Sequence, residues 1–282
     1  MHKKKAVFIL LGQSNATGHG IPMAKDDRIE MPLKNVFGLH RRENQSFDVT
    51  KLRWSGYTSE GMNLAETQDH TYSVANCLAA LWQKAIDGGK ALPDLHIIQI
   101  AIGAQGVRAG YMWHPDYPKI LIPGKLGTVK IALASFTRHI FSLLEESLGE
   151  YEVIGLHWRG GENDAYDPPE TVPDAVLPVY RQLLKDWNET LHEPPIVLHR
   201  IVAHERYTDR DSSGKQLESM HIINGIFDRL AEEYPNVSVF DVRSCPEYAP
   251  DVRGNGLFKE DMVHFTPAVN RWVAQSILEE QL

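Results

Sequence analysis

The stretch Lys5–Leu11 is apolar and β-prone without a break, the pattern of a strand buried on both faces of a parallel sheet. Leu95–Ile102 and Tyr151–Trp158 read as two further long strands, and Asn35–Leu39, Pro195–Val202 and Val237–Val242 as shorter ones. Between them the apolar positions change to helical spacing. In His70–Ile86, for example, Tyr72, Val74, Ala75, Leu78, Leu81 and Trp82 make an apolar helical pattern. The same period predicts helices over Lys125–Leu148, Val172–Leu191, Gln216–Tyr234 and Pro267–Gln281. Pro173 and Pro178 constrain the start of the third of these five, and Pro178 is expected to mark its true first turn. Residues 20–70 scatter Gly, Pro, Asn and charge around the one short strand and read as a long irregular insertion over one face. Strands alternating with helices predict an α/β fold, a mostly parallel sheet of five or six strands with helices on both faces. With no internal repeat, low-complexity run or linker, residues 1–282 are expected to form a single domain.

Composition narrows the function. The formal net charge of −8 argues against a nucleic-acid partner, which would want a basic face. The two cysteines, Cys77 and Cys245, lack Cys-x-x-Cys spacing, and Cys77 falls within a helical apolar pattern, so a buried free thiol is expected rather than a disulfide framework. Lys3–Lys5 before an apolar run imitates a signal peptide, but the run is short and no small-x-small cleavage site follows. No stretch is long enough to span a bilayer, so no membrane partner and a cytoplasmic location are expected. Neither phosphate-binding glycine motif is present, and His199, His204 and Glu205 fit no metal-ligand spacing, so no cofactor and no metal are expected.

Four short segments carry candidate chemistry, each with a plainer alternative. Ser14 follows the first strand through Gly12 and Gln13, placed to attack a carbonyl or simply to cap a helix. Asp261 lies three residues before His264, where it can fix an imidazole acting as general base, or be only a turn aspartate beside a surface histidine. Asn163, in Gly161-Glu162-Asn163-Asp164, can donate to an oxyanion or form an Asx-turn. Gly103, opening Gly103-Ala104-Gln105-Gly106 after a strand, can offer its N–H or supply only a loop conformation. All four fall where an α/β sheet builds its sites. Trp113 is a candidate platform for a sugar face, as is Tyr111, while Trp158 reads better as core. Arg108 and Arg159 can meet a substrate carboxylate, but structural salt bridges are the plainer reading.

These segments, in this order, resemble the blocks of the SGNH hydrolase superfamily. The opening Leu11-Gly12-Gln13-Ser14-Asn15-Ala16-Thr17-Gly18 looks like the start of its sialate O-acetylesterase and acetylxylan esterase branch, carbohydrate esterase family six. Ile100–Gln105 with Trp113 downstream is similar to that branch's second segment, and Phe265-Thr266-Pro267 keeps the usual run after the histidine. The chain departs at Gly160, where the branch carries glutamine, and at Ala104, where it carries a second glycine.

The resemblance implies a three-layer α/β/α, flavodoxin-like fold. It also implies removal of O-acetyl groups from a carbohydrate through an acetyl-serine intermediate. Ser14, His264 and Asp261 would be nucleophile, general base and orienting carboxylate. The N–H groups of Ser14 and Gly103 with the Asn163 amide would hold the oxyanion, and Gln13, Gln105, Trp113 and Glu162 would contact substrate. The partner would be a small-molecule or oligosaccharide acetyl ester, with homo-oligomerisation left open. An esterase or acyltransferase of this fold on a non-carbohydrate ester, or a non-catalytic carbohydrate-binding domain, is the alternative.

Overall fold

The computed structural model describes residues 4–19, 31–66, 72–118, 132–203 and 214–282. Its sheet contains β1 (Lys5–Gly12), β2 (Val36–Leu39), β3 (Trp54–Gly56), β4 (Leu95–Ala101), β5 (Tyr151–Arg159), β6 (Ile196–His199) and β7 (Val237–Phe240). The order is β3-β2-β4-β1-β5-β6-β7, parallel throughout except for β3, which runs antiparallel to β2. The helices are α1 (Ser14–Thr17), α2 (Arg41–Asn44), α3 (Val74–Asp87), α4 (Leu133–Ser142), α5 (Leu144–Leu148), α6 (Val172–Leu191), α7 (Lys215–Glu233) and α8 (Pro267–Glu279).

The apolar run at 5–11 is continuous because β1 lies at the centre, hydrogen-bonded on both edges and covered on both faces. Val7, Ile9 and Leu11 pack into one core with Phe136 of α4, Leu144 of α5, Trp187 of α6 and Phe227 of α7. Ala6, Phe8 and Leu10 point the other way, into a second core with Leu78 and Trp82 of α3 and Val273 and Ile277 of α8. The period of two along one strand thus builds the three layers. Neither cysteine forms a disulfide, and both are buried, Cys77 in this second core. Among the described residues no helix is long and apolar enough to cross a membrane.

Three expectations need correction. Among the described residues the sheet has seven strands, not five or six, because β3 adds an antiparallel edge too short to show a period. With β2 and α2 it gives regular structure to part of the 20–70 insertion, of which residues 20–30 and 67–70 lie outside the described residues. The apolar pattern over Lys125–Leu148 divides at Leu143 into α4 and α5, and its residues 125–131 lie outside the described residues. Helix α6 begins at Val172 with Pro173 in its first turn, and Pro178 lies inside it. Pro178 faces solvent, so the Asp174 carbonyl it leaves without a donor is on the wet side of the helix. Val176, Tyr180, Leu184 and Trp187 hold the opposite side in the core.

Candidate active site

The chain turns away from β1 toward β2 and β4 on one side and later toward β5, β6 and β7 on the other, so β1 is the switch point of the sheet. A crevice of about 500 Å³ opens there, beyond the carboxyl ends of β4, β1 and β5. Gln13 and Ser14 follow β1, Gly103 and Ala104 follow β4, and Glu162 and Asn163 follow β5; all line it together with His264. The turn out of β1 demands glycine. Gly12 has φ +138°, and a Cβ there would lie 2.0 Å from the Arg159 carbonyl oxygen, which accepts from the Gln13 N–H at 2.9 Å.

Asp261 and His264 meet as their spacing predicts. The Asp261 carboxylate lies 2.8 Å from His264 Nδ1 and accepts the backbone N–H groups of Val263 and His264, each at 3.0 Å. Met262 makes this tight turn with φ +57°. Burial pushes the Asp261 carboxyl up, but the backbone and ring of His264 and the N–H of Val263 outweigh it and hold it at about 2. With Nδ1 turned to Asp261, Nε2 is the nitrogen left for chemistry. Ser14, 8% exposed, shares the crevice with this imidazole. A direct Ser14–His264 hydrogen bond is not among those of the described residues; such bonds often close only around substrate.

Asn15 joins the pieces. Its amide nitrogen donates to Glu162 Oε1 at 2.8 Å and to the Val263 carbonyl at 3.2 Å, and its oxygen accepts the Phe265 N–H at 3.2 Å. One buried side chain thereby sets the histidine loop and Glu162 against the serine turn. Arg159 supports it from below. The guanidinium, 2% exposed, donates to the Asn15 carbonyl at 3.0 Å and to Asn270 Oδ1 of α8 at 2.7 Å, and lies over the Phe265 ring. Arg159 is therefore a strut rather than a surface ion-pair partner. Burial draws its pKa down to about 10 although Glu162 raises it.

The two outer loops are held by carboxylates that the sequence did not single out. Asp164, fully buried, accepts the Val107 N–H at 3.1 Å, and a Cβ on Gly106 would lie 2.2 Å from its Oδ1. Burial raises Asp164 to about 6 against those backbone donors. The Gly103 N–H donates to Glu66 Oε2 at 3.1 Å, so a carboxylate stands where a substrate oxyanion was expected. Arg41 fixes Glu66 from behind by donating to the carbonyls of Asn63 and Glu66. Ala104, next to Gly103, takes φ +55°. His19 and Tyr166 also line the crevice, and the His19 ring centroid is 4.8 Å from that of His264. Nothing in local spacing marks Glu66, His19 or Tyr166; each reaches the site through the fold alone.

Some expected contacts are not there. Trp113 is fully buried, its Nε1 donating to the Gly12 carbonyl at 3.1 Å and its ring edge-on to Trp158, so it braces the β1 turn and offers no platform. Gln105 turns from the crevice to accept the Met112 N–H at 3.1 Å. Tyr111 pairs with Arg108, which also bridges to Asp167. His199 lies 2.9 Å from His157 in the core; His204 and Glu205 lie outside the described residues. Among the described residues no three His, Cys, Asp or Glu side chains are grouped to hold a metal ion.

No protein-family profile and no curated protein matches the sequence. Solved structures do match in shape. The structure of NanS superposes over 99% of this chain and 98% of its own, with a TM-score of 0.57 at 17% identity. A protein from Arabidopsis thaliana covers 97% and 98%, with a TM-score of 0.57 at 16% identity. XAC1771, a carbohydrate acetylesterase from Xanthomonas citri, matches over 96% of this chain and 54% of its own, with a TM-score of 0.50 at 12% identity. The likeness is one of fold, the three-layer α/β/α arrangement around a mostly parallel sheet.

Proposed function

We propose that this chain is a serine esterase that removes O-acetyl groups from a carbohydrate. The observation that carries the reading is the Asp261–His264 pair, 2.8 Å apart, opening into the same crevice as Ser14 at the switch point of the sheet. XAC1771, of similar fold, is a carbohydrate acetylesterase, which supports the choice of ester. Ser14 Oγ attacks the acetyl carbonyl while His264 Nε2 takes its proton, then returns it to the leaving alcohol. Asp261 holds the tautomer and stabilises the imidazolium. Water then attacks the acetyl-serine by the same route. The Ser14 N–H and the Asn163 amide face the developing oxyanion, joined by the Gly103 N–H once substrate displaces Glu66.

The test is hydrolysis of p-nitrophenyl acetate against longer acyl esters, wild type beside Ser14→Ala. Activity should fall steeply with acyl length, and Ser14→Ala should lose a factor on the order of 10³ or more in kcat. Hydrolysis that survives in Ser14→Ala would falsify the assignment.

A further inference from the structure

We propose that the crevice beside Ser14 selects esters by the charge on their alcohol half. It takes an O-acylated amino alcohol whose protonated amine stands near the ester, and turns away alcohols that carry a carboxylate. This rests on the esterase reading and deepens it. Two carboxylates, Glu66 and Glu162, line the crevice, and among the described residues no lysine or arginine does. Two acceptor oxygens at this site, Glu162 Oε2 and Gln13 Oε1, are buried with no donor among the described residues, and Gln13 is only 5% exposed. A buried acceptor without a donor is unfavourable, so a ligand that supplies one gains what the empty site lacks.

The position of Glu162 is fixed, because its other oxygen takes the Asn15 amide at 2.8 Å. Arg159 attracts Glu162 from below, and its Nε and Nη2 are likewise buried without an acceptor among the described residues, but it does not line the crevice. Its guanidinium is buried, with Nη1 spent on Asn15 and Asn270. An ammonium carries three donors for acceptors of this kind and a positive charge to set against Glu162. A hydroxyl brings one donor, and a carboxylate brings none and meets repulsion.

The experiment compares glucosamine, glucose and glucuronic acid, each O-acetylated at the same hydroxyl where its structure allows, in mildly acidic buffer, with p-nitrophenyl acetate alongside. We expect kcat/KM to fall from the cationic through the neutral to the anionic ester, by about tenfold or more between the ends. The spread should narrow in high salt and in Glu162→Gln, which keeps an acceptor for Asn15. A flat or reversed order, or a preference that Glu162→Gln leaves intact, overturns the inference. Turnover of p-nitrophenyl acetate without any sugar ester overturns it too but leaves the esterase reading standing. If p-nitrophenyl acetate is itself untouched, both fall. Calorimetric binding of glucosamine to Ser14→Ala, tighter than that of glucose or glucuronate, is the matching readout free of turnover, and its absence also counts against the proposal.

Discussion

Asn15 makes three hydrogen bonds from a site only 4% exposed, to groups 147, 248 and 250 residues away in the chain. Asn15→Ala should leave Glu162 Oε1, the Val263 carbonyl and the Phe265 N–H without it, lowering stability by about 2–4 kcal/mol. The histidine loop would then lose its register on Ser14, so kcat should fall with KM less affected. Urea unfolding and steady-state kinetics on the same variant check both, and an unchanged kcat would remove Asn15 from the assembly of the site. At this scale the sequence spoke where chemistry is local. Asp261 and His264 are three residues apart, and their turn fixes the pair. It was silent on Glu66, which reaches Gly103 only because the segment before it lies along β4. It misled at Trp113, because an indole in a Gly- and Pro-flanked loop looks the same whether it faces a ligand or the underside of a turn.

Among the elements, long periodic segments were legible and short ones were not. β1 and α6 each bury a full face, and their patterns say so. β3, three half-exposed residues, has no period to read. Pro178 shows the limit of local preference. Its ring ought to end a helix, yet eight buried side chains of α6 outweigh it. Pro178→Ala should therefore stabilise the protein, by roughly 1–3 kcal/mol, as restored helix propensity and the regained bond to Asp174 add to unchanged packing. An unfolding midpoint that does not rise would mean that the proline is not opposed by its surroundings.

For the whole molecule, acid is the weakness. His157 and His199 lie against each other in the core, and burial drives both to the neutral form, His157 to about 3 and His199 well below its ordinary value. His96 is lowered to about 4, again mainly by burial. Released on unfolding, these imidazoles bind protons below about pH 6.5, so the unfolded state gains as pH falls from there toward the folded values. Asp164 acts in the opposite direction. Raised to about 6, it favours the folded state increasingly as pH falls through that value. Three groups against one leave a net loss of stability as pH falls from 7 to 5. Urea midpoints across that range measure it, and the slope should flatten in His157→Leu.

The central place of β1 also has a consequence in time. The strand is made before both of its neighbours, β4 and β5, which are complete only at Ala101 and Arg159. Until β4 is made this apolar ribbon has neither edge paired, and until β5 is made it has at most one. Such a ribbon is open to misassociation while it waits, and Ser14, at its tip, can meet His264 only after all the residues between them have been made.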